Sequence, residues 1–214
     1  MKINEELKKY IEESIFPEYD KNESGHGIEH IKYVIDRSFE LVKENKLDVN
    51  SDMVYVIAAY HDIGHHIDSK RHEIISAEIM SKDKNLKKFF NKEELKTIEE
   101  AIADHRASSD SDPRSIYGRI VSSADRNVTV EACLLRTYTY GLKLDPNATD
   151  DALFDRAYGV LVKKFGEGGY SKFFFKDKKY EKFLKDIRKL LSDKDKYIKT
   201  QRDYIAKLKE DNQL

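Results

Sequence analysis

Ala58-Ala59-Tyr60-His61-Asp62-Ile63-Gly64 closes a run that begins at Ser51 and carries Val54, Val56, Ile57 and Ala58. The spacing predicts a helix opening at Ser51, with Asp52 favourable in its first turn. Gly64 is suited to end it as a C-cap. Adjacent helical side chains diverge by about 100°, so His61 and Asp62 converge only on an ion lying between their directions. A position near the helix end makes that convergence easier.

Upstream, Ile31, Val34, Ile35, Ser38, Leu41 and Val42 fall at steps of three and four and form one helical face. His26 and His30 precede it four residues apart, one turn apart on a shared face if the helix starts early enough. The N-terminal MKINEELKKYIEES reads as an amphipathic helix. Downstream, a third helix is expected from Lys70 to Ser81. Asn91 and Glu94 form a capping-box start. The helix it opens puts Leu95, Ile98, Ile102 and His105 on one stripe, where an unpaired imidazole would be costly. Ser115 caps the next, with Ile116, Tyr117, Ile120, Val121 and Ala124 facing inward. Asp125 follows Val121 by four and leans to the same side, where an unpaired carboxylate would be expensive. Further helices are expected from about Val128 to Lys143 and Thr149 to Phe165, then two in the tail, divided at Ser192-Asp193. Gly166 to Gly169 reads as a loop. Alternation typical of strands is missing, so the chain reads as all-α.

Composition agrees. The 214 residues include three Pro and nine Gly, so helix breakers are few. A net charge of −1 supplies no positive field to draw nucleic acid or an anionic membrane. The single cysteine, Cys133, excludes an internal disulfide framework and fits a reducing cytoplasm. The N-terminus lacks the apolar stretch of a signal peptide, and no run approaches the ~20 apolar residues of a membrane span.

All seven histidines lie between residues 26 and 105. Singly, an inward histidine is more often a hydrogen-bonded core residue than a ligand. Together, His30, His61-Asp62 and Asp125 resemble the H…HD…D signature of the HD superfamily of metal-dependent phosphohydrolases. Gly25-His26-Gly27-Ile28-Glu29-His30-Ile31 is similar to its first helix, and Ser122-Ser123-Ala124-Asp125-Arg126 to the helix carrying the last Asp. The resemblance covers roughly residues 20 to 130. It implies an HD-type multi-helix bundle around a central metal cleft, with a core at about 20–130 and a C-terminal helical part at about 131–214 of one domain. The implied ligands are His30, His61, Asp62 and Asp125. Nitrogen and carboxylate donors suit Mn, Fe, Ni, Co or Mg. His72 and His105 stand where dinuclear HD phosphodiesterases have additional histidines. One ion or two therefore remains open; Asp62 would bridge the pair, and His26 is a further ligand candidate.

The implied reaction is hydrolysis of a phosphate ester or anhydride by metal-activated water. Asp62 and His65 are the candidate proton acceptors, and His66 is expected outside the ligand set. Arg106 and Arg126 are the favoured phosphate clamps, with Lys70, Arg71 and Arg119 weaker. The expected partner is a small phosphorylated substrate of nucleotide type; a homodimer is compatible. Departures narrow little. His65-His66 stand where alarmone hydrolases carry Glu-Asp. The stretch from Arg106 to Pro113 lacks the Gly-Tyr-Pro of cyclic-dinucleotide phosphodiesterases. The rivals are a di-iron oxygenase of the same superfamily and a non-catalytic, metal-braced nucleotide-binding or regulatory module. A zinc-protease variant, His61-Asp-Ile-Gly-His65, leaves His30 and Asp125 unexplained. Lys172 to Lys176 could serve a partner or dimer surface.

Overall fold

The computed structural model describes residues 2–23, 25–108, 111–126 and 128–214. The described residues form helices and turns, with no strand among them and no helix long and apolar enough to cross a membrane. The chain divides into two compact units, residues 1–126 with 172–176, and residues 127–171 with 177–214.

In the first unit α1 (Glu5–Tyr10) is capped by Asn4, whose side chain accepts from the amides of Glu6 and Leu7. The amphipathic pattern beyond it is not one α-helix. A π-turn spans Ile11–Ile15 and a 3-10 turn Phe16–Lys21. Leu7, Ile11, Ile15 and Tyr19 are all buried. Steps of four drift about 40° per step on a regular α-helix, and the wider π-turn takes up that drift.

Next, α2 (Ile28–Glu44) buries the six residues of its expected face and also Arg37. The expected central helix is α3 (Ser51–Tyr60), capped by Asn50 rather than Ser51; the Asn50 side chain accepts from Asp52 N–H. Every residue from Met53 to Tyr60 is buried. A helix apolar on all sides belongs inside a core, and α3 packs against α2, α5 (Lys92–Ala103) and α6 (Ile116–Ala124). Between them α4 (His72–Lys82) packs on α5. The Asn91/Glu94 capping box opens α5, and Ser115 caps α6.

The strap 172–176, raised above as a candidate partner or dimer surface, packs on this first unit. Phe173 and Phe175 rest against its core. The Phe174 amide donates to Ser123 Oγ at 3.3 Å, and Asn45 exchanges two hydrogen bonds with the Lys176 backbone. Lys172 pairs with Asp112 at 2.6 Å.

The second unit comprises α7 (Val130–Leu144), α8 (Asp150–Phe165), α9 (Lys178–Leu191) and α10 (Lys194–Glu210). Thr129, Thr149, Asp177 and Asp193 cap them in turn. Ser192 and Asp193 do divide the tail. Tyr138, Leu153, Phe154, Ile205 and Leu208 form one of its cores, and Cys133 is buried.

Candidate metal centre

The helix carrying His61 and Asp62 stops earlier than Gly64. It ends at Tyr60, with His61 as its C-cap, and residues 61–67 run on in turns. The same holds around the cluster. His26 lies in the turn before α2, His30 in its first turn, and His72 opens α4. His105 follows the end of α5, and Asp125 is the C-cap of α6.

Backbone carbonyls three residues upstream orient three of the imidazoles. His61 Nδ1 is 2.8 Å from Ala58 O, His105 Nδ1 is 2.7 Å from Ile102 O, and His72 Nδ1 is 3.0 Å from Ser69 O. A carbonyl oxygen only accepts, so each Nδ1 carries the proton. In the neutral ring Nε2 then presents a lone pair.

Those Nε2 atoms converge on Asp62. Its Oδ1 is 3.3 Å from His72 Nε2 and 3.5 Å from His105 Nε2. Its Oδ2 is 2.8 Å from His26 Nδ1, 3.4 Å from His61 Nε2 and 3.5 Å from His30 Nε2. Asp125 Oδ1 is 3.2 Å from His30 Nε2. Asp62 therefore stands between two sets of imidazoles, one on each oxygen.

Two observations show that this donor set fits a cation. His72 and His105 bring their Nε2 atoms to 3.2 Å, and His30 and His61 bring theirs to 3.4 Å. For the carbonyl-bound His72 and His105, bare lone pairs at that distance repel unless a proton or cation lies between them. Second, Asp62 Oδ1 and Asp125 Oδ1 are buried without a properly directed hydrogen bond. Such atoms are costly unless something charged satisfies them. Three overlapping groups have ligand atoms close enough to share an ion: His26, His30 and Asp62; His30, His61 and Asp125; and His61, Asp62 and His105.

Electrostatics follow the packing. Burial alone would raise the Asp62 carboxyl, but His61, His105, His26 and His30 hold it well below its ordinary value. Burial opposes a charged His30, yet its close approach to the Asp125 and Asp62 carboxylates raises it to about 9. Asp125 is lowered by His30 and His61 against its burial. His65 moves the other way: burial and the neighbouring His26 and His72 pull it down to about 4, against the weaker attraction of Asp62 and Glu23.

His65 stacks on His26 with ring centroids 3.7 Å apart and planes 15° from parallel. His66 is exposed and turns to Asn22. Arg106 is bonded to the Lys70 carbonyl and pairs with Glu73 at 3.3 Å; Glu73 in turn lies 3.6 Å from the His72 ring. Arg126 is buried and donates to Ser122 Oγ at 2.8 Å. Lys70, Arg71 and Arg119 are exposed, Arg119 over the Phe174 ring.

Three supporting residues escaped the sequence reading. Asn22 Nδ2 donates to the carbonyls of His26 and Asp62, at 2.9 and 3.0 Å, while its oxygen accepts from His66 N–H. Tyr19 donates to Ala59 O at 2.7 Å. Ser76 Oγ accepts from Gly64 N–H at 3.0 Å. No motif marks them; only their approach in space does. Gly64 is needed for close approach rather than as a cap. A Cβ there would lie 2.7 Å from Ile75 Cγ2 and 2.9 Å from the Ser76 amide.

Residues 27–127 match the HD domain family, a span that begins one residue after His26 and includes Asp125. A crystal structure of a predicted HD superfamily hydrolase from an uncultured Thermotogales bacterium superposes with a TM-score of 0.53 at 17% identity. The match covers 96% of this chain and 94% of that one, a likeness of fold. No curated protein matches the chain.

Proposed function

We propose, from the match of residues 27–127 to the HD domain family, that the chain is a divalent-metal-dependent phosphohydrolase acting on a small phosphorylated metabolite. The observation that carries this reading is Asp62, with each carboxylate oxygen facing its own set of imidazoles. His30, His61, Asp62 and Asp125 would hold one ion. Asp62, His72 and His105 would hold a second, with Asp62 bridging. The nitrogen and carboxylate donors suit Mn, Fe, Ni, Co or Mg rather than a thiolate-type zinc site. A divalent ion bound there supplies Lewis acidity toward a phosphoryl oxygen and makes water a stronger acid.

The chain's own groups do the rest. Both Asp62 oxygens face imidazoles, which favours Asp62 as a ligand and leaves His65 as the better-placed proton acceptor. The stack on His26 orients the His65 ring, and its lowered pKa keeps that ring neutral while making it a weaker base. Arg106, partly exposed and one ion pair from His72, is the stronger phosphate-clamp candidate. Arg126, buried against Ser122, braces the end of α6 beside Asp125.

A panel of nucleotides and generic phosphate esters with Mn²⁺, Mg²⁺, Co²⁺ and Ni²⁺ tests the reading. Metal-dependent phosphate release is expected, and Asp62→Ala should abolish it while circular dichroism keeps its helical signal. Tight nucleotide binding with no turnover would favour a regulatory module. Oxygen-dependent turnover with bound iron would favour an oxygenase.

A further inference from the structure

Glu73 stands between two groups that the centre uses. Arg106 Nη1 lies 3.3 Å from its Oε1 and 3.4 Å from its Oε2. The same Oε2 lies 3.6 Å from His72 Nδ1, beyond hydrogen-bond reach but within electrostatic reach. That Nδ1 keeps its hydrogen bond to Ser69 O, and the Nε2 of the ring faces Asp62 and His105. One carboxylate is therefore shared by an imidazole of the second-ion set and by the guanidinium favoured as phosphate clamp. The side chains of His72 and Glu73 are 11% and 16% exposed, so solvent screens this attraction less than it would on the surface.

Arg106 is tied on one side only. Its Nη1 takes both Glu73 and the Lys70 carbonyl, and no described residue meets its Nε or Nη2. It lines a cleft of about 490 Å³ together with Glu73, Asp104 and Arg114. The second guanidinium of that cleft is fully engaged: Arg114 Nε and Nη2 bind Asp104, and Nη1 pairs with Glu100.

We infer that Glu73 is a positioning residue that couples the second ion to the phosphate clamp, because its one carboxylate serves His72 and Arg106 in competition. The inference rests on the two-ion form of the phosphohydrolase reading. An imidazole that gives its Nε2 lone pair to a cation carries more positive charge at Nδ1–H, and a carboxylate beside such a ring makes it a better ligand. Glu73 drawn toward His72 gives up part of its hold on Arg106. The guanidinium is then released toward a phosphate oxygen. Linkage runs both ways: whatever removes Arg106 leaves Glu73 to His72 and tightens the second ion. The arrangement thus favours the cation before the phosphate.

The test is a double-mutant cycle on the full chain, read by Mn²⁺ calorimetry without substrate: wild type, Glu73→Gln, Arg106→Ala and the pair. Glu73→Gln keeps the shape and removes the charge. It should weaken the second Mn²⁺ about tenfold or more and leave the first unchanged, which also reports an intact fold. Arg106→Ala should strengthen the second Mn²⁺ about twofold or more, and that gain should disappear in the Glu73→Gln background. The same gain in both backgrounds would mean that Arg106 acts by plain charge repulsion and would overturn the coupling. A second ion indifferent to Glu73→Gln or to Arg106→Ala would overturn it as well. A single Mn²⁺ per chain would do the same, while leaving the phosphohydrolase reading to its own panel of substrates. The expected cycle without phosphate release on that panel would sustain the coupling and remove the phosphohydrolase reading.

Discussion

His30 is the residue on which the metal and the proton compete. Asp125 and Asp62 outweigh its burial and raise it to about 9, so in the ion-free chain it is charged at neutral pH. A raised basic group contributes stability that is complete below its ordinary value of 6.5 and is lost as pH rises through about 9. Asp125 runs the other way: its depressed pKa contributes stability above the ordinary value of 3.8, lost on acidification. Below pH 6.5 the unfolded chain protonates His65 more readily than the folded one, so ion-free protein should have its highest melting midpoint near pH 6.5 and lose stability toward both pH 4 and pH 9. An ion must displace the His30 proton, so affinity should rise about tenfold per pH unit up to about 9. Calorimetric titration across that range checks it; a pH-independent affinity would remove His30 from the ligand set.

At the scale of elements, the centre is a meeting of helix ends. Carbonyls in the last turns of α3 and α5 take the Nδ1 protons of His61 and His105, which turns Nε2 toward Asp62. The turn after α3 is pressed against α4 at Gly64, where no side chain fits. Gly64→Ala should destabilise the fold by about 1–3 kcal/mol through overpacking. It should also weaken the ion shared by Asp62, His72 and His105 before the other, because α4 carries His72. Urea unfolding and metal stoichiometry read the two effects separately; an unaltered midpoint would mean that the contact yields freely. Much of this level was legible in the sequence. Apolar spacing placed α2, α5 and α6, and the caps Asn91 with Glu94 and Ser115 placed the starts of α5 and α6. The motif residues were legible as types, but their seats at helix ends were not. Gly64 looks identical in sequence whether it caps a helix or admits a neighbour. Asn22, Tyr19 and Ser76 carry no local pattern at all, because their partners are distant in sequence.

At the scale of the whole molecule, the chain builds two units, and the first borrows residues 172–176 from far downstream. Hydrophobic periodicity could not show this, since the strap is neither a helix nor an alternating strand. Its three phenylalanines read equally well as a partner surface until their contacts are seen. Phe175 packs against Val42, Val54 and Ile120 while remaining partly exposed. Phe175→Ala should cost about 1–3 kcal/mol, below the range for a fully buried phenylalanine. An unchanged urea midpoint would show that the strap adds nothing to that core.

The most direct test of the account is anomalous diffraction from crystals of the full chain grown with Mn²⁺. One peak is expected within bonding distance of His30, His61, Asp125 and Asp62 Oδ2, and a second beside His72, His105 and Asp62 Oδ1. Full Mn²⁺ in the solution and no peak against either Asp62 oxygen would contradict it.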